Sequence, residues 1–225
     1  LGGSSVGPQA DRHALNRVFR TFFLHSIHEH GSAMTAPHFS TLAHWHTALP
    51  RTALSTELRE WLINRDSLTQ RLVARCGSFK VECLHQHASA CLADERDALG
   101  LPRRTQVMER EVLLRCDDAA VVYAHTVLPL TATARQWPLF ASLGNRSLGT
   151  TLFQDPQVQR GALQFARLRA NHPLMRRIRR LQLPQTEAST LFARRSRFTR
   201  HGSSLLVTEV FLPTLFAQLR PLPER

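Results

Sequence analysis

Two charged residues stand where strand alternation would turn them inward. In QVMEREVLLR, Met108, Arg110, Val112 and Leu114 share one face, while Val107, Glu109, Glu111, Leu113 and Arg115 share the other. The first face is apolar except for Arg110. In SLLVTEVFL, Leu205, Val207, Glu209 and Phe211 share a face that is apolar except for Glu209. A buried charge is costly unless it is paired. Two arrangements satisfy this pattern. Arg110 and Glu209 can form a structural salt bridge, with each other or with other residues. Alternatively they stand at opposite ends of a closed pocket, where the planar fork of Arg110 holds a carboxylate and Glu209 faces a hydroxyl of the same ligand.

Other clusters are weaker. Cys83, His85 and His87 fall on one face of a candidate strand, with Cys91 nearby. Local ligand clusters of this kind are commonly surface residues without tetrahedral geometry, so no metal is expected. The four cysteines, Cys76, Cys83, Cys91 and Cys116, form no C-x-x-C pair and suit no common zinc spacing. They read as reduced thiols of a cytoplasmic protein. The formal net charge of +12 is carried almost wholly by arginine, Lys80 being the only lysine. Such a surface attracts nucleic acid, anionic lipid or an anionic small molecule. With one Tyr and three Trp, the chain lacks the interleaved aromatics of a nucleic-acid platform, and no nucleic-acid partner is expected.

The elements that must position these residues follow from pattern and punctuation. Ser55–Leu62 reads as a short helix. A second helix starts at Asp66 or Ser67, with Ser67 and Gln70 at capping-box spacing. Phe79–Cys91 reads as a strand. Gln106–Arg115 and Ala120–Leu128 form a hairpin about Asp117 and Asp118. Leu148–Phe153 reads as a helix, and Gln157–Arg180 as a strongly basic helical stretch. Arg194–Arg200 and Ser204–Leu212 form a second hairpin about His201 and Gly202. Strands and helices do not alternate, which predicts a single α+β domain with an antiparallel sheet flanked by helices. No run of about 18 uncharged apolar residues occurs, so no transmembrane helix is expected. Residues 1–33 are expected to be a disordered or cloning-derived extension, Met34 the natural start, and 34–225 the folded domain.

Three blocks carry a family resemblance: REVLLRCDDAAVVYAHTVLP from Arg110, SLGTTLF from Ser147, and ARRSRFTRHGSSLLVTEVFLP from Ala193; WLINRDSLTQRL from Trp61 is a weaker fourth. Together they resemble the bacterial chorismate pyruvate-lyases of ubiquinone synthesis. The resemblance implies a sheet of about six antiparallel strands and an internal ligand site under helical flaps. It implies elimination of pyruvate from chorismate to give 4-hydroxybenzoate, the first committed step of ubiquinone synthesis, with neither metal nor organic cofactor. By the same resemblance Arg110 binds the ring carboxylate and Glu209 the ring hydroxyl, as the catalytic pair. Leu148 and Leu68 give backbone contacts to the ligand.

Two departures stand out. His125 occupies the returning strand where the family often has an arginine, which makes it the candidate for the second carboxylate. The stretch between Phe153 and Arg194 is longer than in enterobacterial members. Its arginines leave three roles open: a solvated surface, steering of dianionic chorismate, or contact with an anionic membrane surface or a downstream prenyltransferase. A cytoplasmic monomer is expected. The rival reading is a non-catalytic aromatic-acid sensor of the same fold.

Overall fold

The computed structural model describes residues 42–49, 54–132, 135–184 and 188–218. The expected extension over 1–33 and the start at Met34 lie outside the described residues. Everything described falls within one unit, Phe39–Arg225. The elements run α1 (Thr56–Ile63), α2 (Leu68–Val73), β1 (Phe79–Ala90), α3 (Ala93–Leu99), β2 (Gln106–Cys116), β3 (Ala119–Pro129) and α4 (Leu148–Gln154). There follow β4 (Gln159–Arg160), β5 (Gln164–Arg169), α5 (Pro173–Arg180), β6 (Thr190–Arg200), β7 (Ser203–Phe211) and α6 (Thr214–Gln218). The sheet is antiparallel, in the order β1-β2-β3-β7-β6-β4, with β5 also paired to β6. The fold is therefore α+β, with seven described strands rather than about six.

Local chemistry sets the ends of these elements. The Ser67 hydroxyl caps α2 by accepting from the Gln70 N–H, and the Ser147 hydroxyl caps α4 by accepting from the Thr150 N–H. Both tight hairpins have positive φ at their two central residues: 47° and 66° at Asp117 and Asp118, and 47° and 73° at His201 and Gly202. That is the turn whose twist matches paired strands, and Asp, His and Gly are the types that tolerate it.

The sheet buries both faces. One face packs Val112, Leu114, Phe165 and Phe211 against Trp61 and Leu62 of α1 and Leu68 and Leu72 of α2. The reverse face packs Leu113, Tyr123, Leu168 and Val210 against Leu174, Met175 and Ile178 of α5. Among the described residues no helix is long and apolar enough to cross a membrane.

Three expectations are corrected. Gln157–Arg180 is two strands and one short helix. In β5, Phe165 and Leu168 are buried while Arg167 and Arg169 are exposed. Their three-residue spacing mimics a helix, but the side chains serve a strand. Pro173 then opens α5 behind a His172 cap. Second, Cys76 and Cys116 are joined as a disulfide, with Cα atoms 5.3 Å apart. The Asp117 carboxylate accepts from the N–H groups of Gly77 and Ser78 at 3.1 and 2.6 Å, which ties the approach to β1 to the corner after β2. A separation of 40 residues conceals that neighbourhood in the sequence. Third, Cys83 does not share a face with His85 and His87. The β1–β2 register shifts between Cys83 and His85, so Cys83 pairs with Val112, whereas His85 and His87 pair with Glu111 and Glu109. A bulge of this kind re-aims the side chains that follow it.

Candidate active site

A cavity lies between the sheet and two helices. Val112, Ala124, Thr126 and Val207 form its floor; Leu68 and Thr69 of α2, with Ser147, Leu148 and Leu152 at α4, form its roof. Its volume is about 50 Å³. The two roof helices meet through a 2.7 Å hydrogen bond between the hydroxyls of Thr69 and Ser147. Gly149 sits under the same contact: a Cβ there would lie 3.0 Å from Thr69 Oγ1.

Arg110 and Glu209 both line this cavity, as do Leu68 and Leu148. Arg110 is 2% exposed. Its Nη2 donates to the carbonyls of Gly144 and Arg146 at 2.8 and 3.0 Å, and among the described residues its Nε has no hydrogen-bond partner. Among the described residues no carboxylate pairs with it. Burial lowers its pKa, with a partly opposing contribution from Cys83. A guanidinium held this way keeps donor groups with which a carboxylate could be bound.

Glu209 is held differently. Arg194 Nε donates to Glu209 Oε2 at 2.5 Å. Arg194 Nη1 donates to the carbonyls of Trp61, Leu62 and Asn64 at 2.9, 3.4 and 2.6 Å. These carbonyls belong to the C-terminal end of α1, where backbone acceptors lack helical partners and a cation is favoured. One buried arginine thus caps a helix and fixes a carboxylate, leaving Glu209 Oε1 as the oxygen open to a ligand. The direct Arg110–Glu209 salt bridge does not form. β3 lies between their strands, with Thr126 opposite Arg110 and Ala124 opposite Glu209. Two strand spacings and a two-residue offset put their Cα atoms about 12 Å apart, both side chains facing the same way.

Sequence reasoning missed two residues here. Arg194 shares a strand face with Ser196 and Phe198, which also line the cavity, so the parity that exposed Arg110 applied to it as well. Arg160 also lines the cavity. Its Nε donates to Ser196 Oγ at 3.1 Å and its Nη1 to the Arg65 carbonyl at 2.5 Å. Its guanidinium lies over the rings of Phe153 and Phe198. Burial pushes its pKa down to about 10, with Glu209 acting in the opposite sense. The expected basic helix concealed it.

His125 is a correction. It lies on the reverse face of β3 and does not line the cavity. It is fully buried, with Nε2 2.9 Å from Glu95 and Nδ1 3.3 Å from Glu111. Burial lowers its pKa, but those two carboxylates outweigh burial and push it up to about 10. His125 therefore serves protein carboxylates, because odd and even positions of one strand face opposite ways.

Comparison with known proteins gives the family of the chain. The profile of the family described as "Chorismate lyase" matches residues 40–221. The "Probable chorismate pyruvate-lyase" of Ralstonia nicotianae is 45% identical over 188 residues, covering 82% of this chain and 94% of that one. A protein of the same description from Cupriavidus metallidurans is 44% identical over 180 residues, covering 80% and 84%. Among solved structures, the C-terminal domain of PhnF matches with a TM-score of 0.47 and 18% identity, over 67% of this chain and 92% of that one. With a matching family profile and relatives of this identity across most of its length, the chain belongs to the chorismate lyase family.

Proposed function

We propose that this protein converts chorismate into 4-hydroxybenzoate and pyruvate. The observation that carries the proposal is a buried guanidinium without a carboxylate partner, facing the same cavity as a carboxylate anchored at the other end. Chorismate carries a ring carboxylate, a hydroxyl across the ring from it, and an enolpyruvyl ether. Arg110 takes the ring carboxylate through its unshared N–H groups. Glu209 Oε1 accepts the ring hydroxyl, its rotamer held by Arg194. Backbone groups of Leu68 and Leu148 contact the ligand from the two roof helices. Arg160, rather than His125, takes the enolpyruvyl carboxylate, since among the described residues it is the cation lining the cavity that neither Arg110's nor Arg194's role uses.

In the reaction the ether C–O bond breaks, the hydroxyl-bearing carbon loses its hydrogen, and the enolpyruvyl methylene gains a proton. Pyruvate departs and the ring becomes aromatic. Aromatisation drives the step, so the protein's work is to hold a reactive conformer and exclude water. The pair Arg110 and Glu209 fits the product as well as the substrate, and a roof closed over an apolar floor favours slow product release. The product enters ubiquinone synthesis under this reading, and the exposed arginines of α5, Arg176, Arg179 and Arg180, would meet an anionic membrane surface.

The test is incubation with chorismate alone, measuring 4-hydroxybenzoate and pyruvate separately. Equal amounts of both, lost in Arg110→Ala, are expected. Binding of 4-hydroxybenzoate without any turnover would replace the lyase with a sensor.

A further inference from the structure

The face of the sheet opposite the cavity carries a second cluster of chemically capable groups. The bulge after Cys83 turns His85 and His87 toward Glu111 and Glu109 of β2. His85 Nε2 lies 3.1 Å and His87 Nε2 3.4 Å from the same oxygen, Glu109 Oε1. These three donor atoms all lie within 4.8 Å of one another. Ligands about 2.1 Å from a tetrahedral ion are about 3.4 Å apart, close to the two distances from the imidazoles to Glu109 Oε1.

The surroundings fit an ion as well. Glu109 is buried and its other oxygen, Oε2, accepts from Arg177 Nη1 at 3.0 Å. Arg177 also holds Glu111. The carboxylate is thus fixed through Oε2, the outer support that ligating groups require, while Oε1 is hydrogen-bonded to His85 Nε2, a contact that an ion would replace. His85 is 31% and His87 54% exposed in their side chains, so one side of the cluster opens to solvent. Glu111 Oε2 lies 3.6 Å from His85 Nε2 and adds a second negative charge.

We propose that His85, His87 and Glu109 form a site for a divalent transition-metal ion, Zn²⁺ by preference, on the face of the sheet opposite the active site. Two imidazoles and one carboxylate match the borderline-soft character of Zn²⁺, with water in the fourth position. The ion links β1 to β2 at the residue next to Arg110, so occupancy stabilises the strand that carries the anion anchor. The proposal does not depend on the lyase reading.

The test uses the full chain after chelator treatment, titrated with Co²⁺ and then Zn²⁺, following heat and visible absorption. One Co²⁺ per chain with the intense ligand-field bands of low coordination, displaced by Zn²⁺, is expected. His87→Ala should weaken binding by more than about 100-fold, beyond the loss typical of an outer-shell change. His85→Ala/His87→Ala should abolish the bands, and His44→Ala/His46→Ala should leave them unchanged. Circular dichroism of the metal-free variants establishes that they fold. Bands that persist in His85→Ala/His87→Ala, absence of Co²⁺ binding by the folded wild type, or thiolate-to-cobalt charge transfer from Cys83 or Cys91 would each overturn the site.

Discussion

Two buried arginines meet the same cavity, and their surroundings predict unequal responses to the same substitution. In Arg194→Met, Glu209 loses its ion-pair partner and the α1 carbonyls lose their donor. Breaking one side of a buried pair costs about 3–5 kcal/mol. At about 2–4 °C per kcal/mol for a chain of this size, Tm should fall by about 6–20 °C. In Arg110→Met no ion pair is lost. Two hydrogen bonds from a charged donor, worth about 1.5–3 kcal/mol each, are set against removal of a desolvation cost of several kcal/mol. These nearly cancel, so ligand-free stability should stay within about 1 kcal/mol of wild type. Function should separate the two effects. 4-Hydroxybenzoate at 100 times its Kd should stabilise wild type by about 2.7 kcal/mol. That gain should vanish in Arg110→Met, and kcat/KM for chorismate should fall about 30- to 5,000-fold, as for removal of one partner of a buried charge pair. The assay is thermal unfolding with and without ligand, together with initial rates. An Arg110→Met protein destabilised by 3 kcal/mol or more, or one that keeps its ligand-induced shift, would refute the idea of a preformed anion site.

Further outcomes follow from the same contacts. Arg160→Leu should raise KM for chorismate while leaving 4-hydroxybenzoate affinity within about threefold, since the product lacks the second carboxylate and a lost charge contact is worth about tenfold or more; equal losses for both ligands would remove Arg160 from that role. Thr69→Val deletes the hydrogen bond between the roof helices and should speed product dissociation in a stopped-flow chase, whereas an unchanged rate would show that this contact does not hold the roof closed. Burial raises the pKa of Asp94, but hydrogen bonds from His172 and Trp45 and the charge of Arg195 outweigh it and hold the carboxyl below its usual range. Its contribution to stability is therefore present above the unfolded pKa of about 3.9 and lost as pH falls through the lower folded value. The stability gap between wild type and Asp94→Ala in urea should be steady near neutrality and shrink below about pH 4; a gap that stays constant there would contradict this.

Strand parity made half of the candidate site legible. A charge recurring on an apolar alternating face placed Arg110 and Glu209 on one side of a sheet, and the structure brings them to one cavity. Parity also carried the signal for Arg194, but a residue inside an Arg-rich run draws less notice than a lone charge. Arg160 was hidden because the spacing of Leu163, Phe165 and Leu168 suits a helix as well as a short strand. His125 was misassigned because a family-level comparison of positions overrode its own parity. The bulge at Leu84 could not be read from alternation, since one inserted residue preserves the pattern on both sides while exchanging the faces. The Cys76–Cys116 pairing depends on a corner that only tertiary structure brings together. The helix α3 left readable marks that went unused: acidic Asp94 and Glu95 in its first turn and Gly100 with positive φ at its end.

The central claim concerns the orientation of a ring between two fixed charges. A crystal structure with 4-hydroxybenzoate bound tests it most directly. The account predicts the carboxylate within hydrogen-bond distance of the Arg110 guanidinium and the phenol oxygen at Glu209 Oε1, beneath Leu68 and Leu148. A ligand bound in the reverse sense, or outside this cavity, would contradict it.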